Sequence, residues 1–165
     1  MVSFILAGAV SLLLLLLDQI SKGIVSANFA LYQEFPLVKG LLNFYYIHNT
    51  GGAWGVLSGY TGLLIFVTAL IMVGCIFWLI FRARRSKLLF WAASLIISGG
   101  IGNMIDRIFR NGRVIDFLQF GFWTDFPIFN IADCGIVIGC GLLLLYFIMD
   151  TVNDFKKRKA DNGNS

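Results

Sequence analysis

The chain has 165 residues, 58% of them apolar or aromatic and only 13% charged. Soluble domains carry about 25% charged residues, so the composition argues against a water-soluble globule, and two prolines with few polar runs argue against extensive disorder. The net charge of +4 is no nucleic-acid footprint, because basic residues cluster in Arg82–Lys87 and Lys156–Lys159 beside apolar runs, as on the cytoplasmic side of a membrane protein.

A spanning helix needs about 20 apolar residues, and four runs meet that need. Met1–Leu17 is uncharged up to Asp18 and has neither the basic start nor the small-residue cleavage site of a signal peptide, so it reads as a retained first span over about 1–21. Gly62–Phe81 carries no charge at all. The third run covers about 88–106 and ends in Asn103, Asp106 and Arg107; the fourth covers about 131–150 and is uncharged inside except for Asp133. In lipid only helices or closed barrels satisfy the backbone, so the expectation is an all-α membrane protein of four transmembrane helices. Residues 1–152 form one membrane domain, and 153–165 a polar, basic, frayed cytoplasmic tail.

Eight of the 13 basic residues lie in the second-to-third loop and the tail. With four spans these segments share a side, which gives an N-in, C-in orientation. The outer loops, 23–61 and 107–130, are long for connectors, and such loops are usually functional. The first contains Leu41–Ile47, aromatic-rich and short enough for a strand. The second contains Asn111-Gly112 between apolar flanks, a hairpin signal. A small β element on the outer membrane surface is expected, with Phe120, Phe122, Trp123 and Phe126 dipping into the headgroup layer.

This topology gathers Asp18, Asn103, Asp106, Arg107, Asp116, Asp125 and Asp133 at one membrane face. An acid inside a span is costly and a functional candidate by default, and Asp133 fits that description best. Each acid also has a structural reading. Asp18 with Lys22 at i,i+4 makes a salt bridge on the first helix; Asp106 pairs with its neighbour Arg107; Asp125 is solvated; Asp133, following Asn130, caps the fourth span. Asp116 has no local cation and is a weaker candidate. His48, the single histidine, suits a turn or the interface and makes a multi-histidine metal site improbable. Cys75, Cys134 and Cys140 form neither a CxxC nor a Cys/His cluster. Ser98 with Gly102, and Gly135 with Gly139, read as small-residue helix contacts.

Five motifs resemble, in order, those of the lipoprotein signal peptidase (signal peptidase II) family. Asp18-Gln19-Ile20-Ser21-Lys22 is similar to its D-Q-x-[ST]-K, and Asn49-Thr50-Gly51-Gly52-Ala53-Trp54-Gly55 to its N-T-G-A-A-F-G. Residues Gly99–Arg107 match G-G-x-G-N-x-x-D-R, Val114–Phe117 match V-x-D-F, and Phe126–Asp133 match F-P-x-F-N-x-A-D. Gly52 and Trp54 depart from the family's Ala and Phe. The resemblance implies a catalytic dyad at Asp116 and Asp133, with Asp18, Lys22, Asn49, Gly51, Asn103, Arg107 and Asn130 shaping the site or holding substrate. It also implies an outer β-cradle on the four helices, a place in the bacterial cell membrane, and no metal or other cofactor.

The implied reaction is hydrolysis by water, one carboxylate acting as base and its protonated partner as acid. The implied substrates are prolipoproteins bearing a diacylglyceryl-modified cysteine, cleaved before that cysteine, with membrane lipids as the other partners, no nucleic acid, and a monomeric enzyme. The rival readings are a small transporter, which would favour polar residues at the bilayer midplane and repeated halves, and a lipid-modifying transferase, which would need a placed nucleophile or base.

Overall fold

A computed structural model describes residues 2–81 and 86–163. In chain order it contains α1 (Val2–Asn28), β1 (Glu34–Val38), β2 (Leu42–Asn49), α2 (Thr61–Phe81), α3 (Lys87–Phe109), β3 (Val114–Phe120) and α4 (Ile131–Gly163). All four helices contain stretches long and apolar enough to cross a membrane. Arg82, Arg84 and Arg85, three of the eight basic residues behind the expected orientation, lie outside the described residues.

Helix α3 is the axis. Of its most apolar stretch 56% is buried, against 17% or less in the other three, and it packs on α1, α2 and α4. Missing side chains allow the close approach. A Cβ at Gly99 would run into the Ala132 carbonyl and Ile136 of α4, and one at Gly139 would stand 2.8 Å from the Ala92 carbonyl oxygen of α3. Gly135 leaves room for Leu14 of α1 in the same way. The small-residue pattern therefore does pack helices, by backbone proximity. Helix α2 leans mainly on α3, where Met72 sits over Gly100. The exposed residues Phe66, Leu70, Val73 and Phe77 present an apolar surface that suits lipid.

The strands form one antiparallel sheet, in order β1-β2-β3, at the end of the bundle where α1 and α3 finish and α4 begins. Its back face packs Phe44, Tyr46, Ile115 and Phe117 against Val25 and Phe29 at the end of α1. Between Phe44 and Ile47 the register slips: three steps along β2 match two along β3, so that Ile47 opposes Asp116 and Asn49 opposes Val114. That bulge re-aims the strand and sets Asn49 diagonally beside Asp116 on the front face.

Three sequence expectations change. Asn111-Gly112 does not join two strands. Both residues are left-handed (φ 53° and 81°), the Arg110 and Gly112 N–H groups donate to the Asp106 and Arg107 carbonyls at 2.7 and 2.9 Å, and the turn ends α3. Two consecutive left-handed residues satisfy a helix C-terminus as well as a hairpin, so the dipeptide alone does not choose. The segment after Asn153 continues α4 to Gly163 instead of fraying. The first span also continues to Asn28, because Val25 and Phe29 are needed to seat the sheet.

Candidate active site

Asp116 lies mid-strand on β3, 2% exposed, and Asp133 lies in the first turn of α4. The two motifs that carry them are 17 positions apart in the chain, and a shared set of asparagines holds them together in space. Asn130 precedes α4 and accepts the Asp133 N–H on Oδ1 at 3.0 Å, while its own backbone N–H donates to Asp133 Oδ2 at 3.0 Å. This is a reciprocal capping box. Capping and chemistry are therefore not alternatives for Asp133: Asn130 is the cap, and Asp133 answers it.

The same Asn130 side chain turns its NH2 outward, donating to Asp116 Oδ1 at 2.6 Å and to Asn103 Oδ1 at 3.0 Å. Asn103 Nδ2 donates to Asp133 Oδ1 at 2.7 Å. Asn49 completes the ring. Its Oδ1 accepts the Gly51 N–H at 2.8 Å, which leaves Nδ2 to donate to Asp116 Oδ2 at 2.9 Å. Each carboxyl is thus gripped on both oxygens.

Burial pushes the Asp116 carboxyl far above its ordinary range, and the neighbouring Asp133 charge pushes it further; against the amides of Asn49 and Asn130 the value still rises to about 7. A carboxyl that keeps its proton near neutrality can serve as an acid.

Behind the pair lies a buried ionic cluster. Lys22 is fully buried, its Nζ 2.9 Å from Asp18 Oδ2, 3.2 Å from Asp106 Oδ2 and 2.9 Å from Asn103 Oδ1. Asp18 Oδ1 accepts the Ala132 N–H at 2.9 Å, tying α1 to the start of α4. Asp106 accepts the Ile115 N–H at 3.1 Å and pairs with Arg110 at 3.2 Å. The Asp18–Lys22 pairing of the sequence is present, but as part of this cluster. The Asp106–Arg107 pairing is not: side chains one residue apart on a helix point different ways, whereas i and i+4 meet, so Asp106 takes Arg110. Sequence reasoning left Asp106 and Gln19 out of the site. The i,i+4 spacing of Asp106 and Arg110 was the available signal for the first, and nothing local marks Gln19, whose Nε2 bridges Asp18 Oδ2 and the Gly102 carbonyl at 3.0 and 3.1 Å.

Arg107 faces the other way. One Nη donates to the Gly51 carbonyl at 3.0 Å, and its buried Nε has no partner among the described residues. It lines, with Asn49, Asn103, Asp116 and Asp133, one wall of a groove of about 640 Å³. The remaining walls are almost wholly apolar: Phe120 at the end of β3, Phe126 and Phe129 from the β3–α4 connection, and Ile136, Val137 and Ile138 on α4. Trp54, left-handed at φ 54° and exposed, also lines the groove and meets Phe126 edge to face at 6.0 Å. Gly51 is needed here, because a Cβ would lie 2.9 Å from the Gly55 carbonyl and the Val56 oxygen. Asn49, Gly51, Asn103, Arg107, Asn130, Asp18 and Lys22 all gather around the two acids. Asp125 is exposed and apart, and His48 bonds Tyr46 at 2.8 Å on the far face of the sheet.

A bundle of spanning helices with two carboxyls at one end, opening into a lipid-compatible groove, defines a multi-pass membrane protein equipped for acid–base chemistry. The family model of signal peptidase (SPase) II matches residues 10–149. The lipoprotein signal peptidase of Shouchella clausii is 40% identical over 151 residues, covering 90% of this chain and 97% of that one. That of Symbiobacterium thermophilum is 38% identical, with 90% and 95% covered. A bacterial membrane enzyme solved by the in meso method superposes with a TM-score of 0.84 at 32% identity, covering 93% of this chain and 92% of that one. The chain belongs to the signal peptidase II family, and is a membrane peptidase.

Proposed function

We propose that the protein removes signal peptides from diacylglyceryl-modified prolipoproteins, cleaving before the lipid-modified cysteine, with Asp116 and Asp133 as an aspartic dyad. The observation that carries this is the pair of carboxyls gripped by Asn49, Asn103 and Asn130 at the head of an apolar groove. The relatives named above supply the substrate class.

In this reading the charged carboxyl takes a proton from water as its oxygen adds to the scissile carbonyl, and the neutral one protonates the carbonyl oxygen. Collapse of the tetrahedral adduct breaks the C–N bond, and the leaving amine takes up a proton from the dyad. Like charges in one pocket keep one proton between them, so the pair is ready for both tasks at once. Arg107, with donors to spare, holds substrate carbonyls. Asn103 and Asn130 are already committed to the carboxyls, so they shape the site and do not bind peptide. The acyl chains lie along Ile136 and Val137 and stay in lipid.

The site sits on the extracytoplasmic face of the bacterial cell membrane, with both termini inside, Phe122 and Trp123 at headgroup level, residues 1–152 as one working unit and the protein acting as a monomer. The test is cleavage of a purified diacylglyceryl-modified prolipoprotein by the detergent-solubilised protein, with chelator present. Asp116→Asn and Asp133→Asn are each expected to lower turnover by at least about 10²–10⁴-fold. Wild-type rates in both folded variants would sink the dyad, and failure in chelator would call for a metal.

A further inference from the structure

We propose that Lys22 is a positioning residue for the dyad: through the amide of Asn103 it sets the negative charge on Asp133 and leaves the shared proton on Asp116. This rests on the aspartic reading above and adds to it the division of labour between the two acids.

The buried Lys22 ammonium has three N–H groups and three acceptors, Asp18 Oδ2, Asp106 Oδ2 and Asn103 Oδ1. An ammonium cannot accept a hydrogen bond, so the oxygen of Asn103 must face it. The Asn130 NH2 also reaches that oxygen at 3.0 Å, but its two N–H groups are divided among Asn103 Oδ1, Asp116 Oδ1 and the Ile115 carbonyl, so Lys22 supplies the undivided donor. The Asn103 NH2 is then obliged to face Asp133, and it reaches Oδ1 at 2.7 Å. The other oxygen of Asp133 takes the backbone N–H of Asn130. Neither donor can be turned into an acceptor, and Asp133 is the third residue of α4, where the free N–H groups of the first turn favour negative charge.

Asp116 is placed differently. It lies mid-strand, 2% exposed, and among the described residues its carboxyl takes only side-chain donors, the NH2 groups of Asn49 and Asn130, and no backbone N–H. When two acids can hold one charge between them, the charge belongs where the first turn of a helix and a backbone N–H receive it. The charged and titratable groups facing Asp133 are Asp18 and Lys22 from α1, Arg107 from α3, Asp116 from β3 and Cys134 beside it on α4. Asp106 and Arg110 stand behind Lys22. Two carboxylates thus face two cations in that rear cluster, so its net field is small, and Lys22 acts through the orientation of Asn103.

The consequence for the reaction is directional. Asp133 takes the proton from water as the water oxygen bonds to the carbonyl carbon, and Asp116 gives its proton to the carbonyl oxygen. When the C–N bond breaks, the amine nitrogen takes the proton from Asp133, and Asp116 recovers one from a hydroxyl of the adduct.

The test is the pH profile of kcat/KM for wild type, Lys22→Met and Asn103→Leu, with thermal melting in detergent to establish folding. Lys22→Met strips the cation from two buried carboxylates and risks misfolding, whereas Asn103→Leu cuts the relay and leaves those ion pairs in place. Losing a donor to Asp133 disfavours its charged form, so the acid limb is expected to move to higher pH by about one unit, with KM little changed. Folded variants with an unmoved acid limb would overturn the proposal, as would a shift in Lys22→Met that Asn103→Leu does not share. Asp133→Asn run alongside separates the two levels: retained turnover there overturns the aspartic reading itself, while lost turnover beside an unmoved limb overturns only the role of Lys22.

Discussion

Asp116 carries the clearest consequence at the scale of a single residue. Its folded value of about 7 lies above the ordinary carboxyl value, so the folded protein holds a proton between about pH 4 and 7 that the unfolded chain has released. The stability that this proton contributes is complete below about pH 4 and is lost as pH rises through about 7. Asp116→Asn does not titrate. The wild type should therefore lose stability relative to that variant between pH 5 and pH 8, by an amount on the order of 2–4 kcal/mol. Paired thermal melts at the two pH values measure it; a constant difference would mean that Asp116 is already charged at pH 5. The residue pattern marks Asp133 as an acid at the edge of a span and Asp116 only weakly, and it is the family motif that raises Asp116 to its partner. Nothing local in Val-Ile-Asp-Phe says that its carboxyl is sealed beneath two asparagines, because both partners come from elsewhere in the chain.

Among the elements, the α3–α4 contact matters most, because it sets Asp133 against Asn103. Gly99 leaves no room for a side chain where Ala132 and Ile136 pass. Gly99→Val should force the first turn of α4 away, lowering the melting temperature by the equivalent of about 1–3 kcal/mol and reducing turnover together with it. Gly74→Val is the control, since a Cβ there meets nothing within 4 Å. Equal melting temperatures for the two variants would show that the close contact does not hold the helices. Small-residue spacing pointed to helix contact at Ser98–Gly102 and Gly135–Gly139, and contact is found. It did not say which helices meet, since the spacing describes one face and names no partner. The Asn111-Gly112 turn shows the same limit: left-handed backbone was legible, but whether a strand or a helix precedes it was decided by Asp106, which must reach back to Lys22 and so keeps α3 helical to its end.

For the whole molecule, the proposed orientation has a direct consequence. Helix α4 has 33 residues, about 50 Å at 1.5 Å per residue, whereas the bilayer core is about 30 Å thick. With Asp133 at the outer end, its last turns project past the inner leaflet and carry Lys156–Lys159 there. A reporter fused at either terminus should score as cytoplasmic, and one inserted at Lys39, in the β1–β2 turn, as extracytoplasmic. The opposite pattern would overturn the orientation and, with it, the placement of the site. The groove that opens along Ile136 and Val137 is consistent with a substrate that arrives from within the membrane.

Hydrophobic length and the placing of charge determined four helices and the gathering of polar residues at one end, because lipid demands uninterrupted apolar runs and leaves few places for a carboxylate. Those constraints act on each segment separately, so they can be read from the chain alone. The tertiary structure decided what those residues do for one another. Lys22 bridges two helices, Asn103 and Asn130 pass between two acids, the β2 bulge brings Asn49 to Asp116, and Asp106 takes Arg110 in place of its neighbour. Each of these depends on hydrogen bonds between residues distant in sequence, whose directions are fixed only when the helices close on one another.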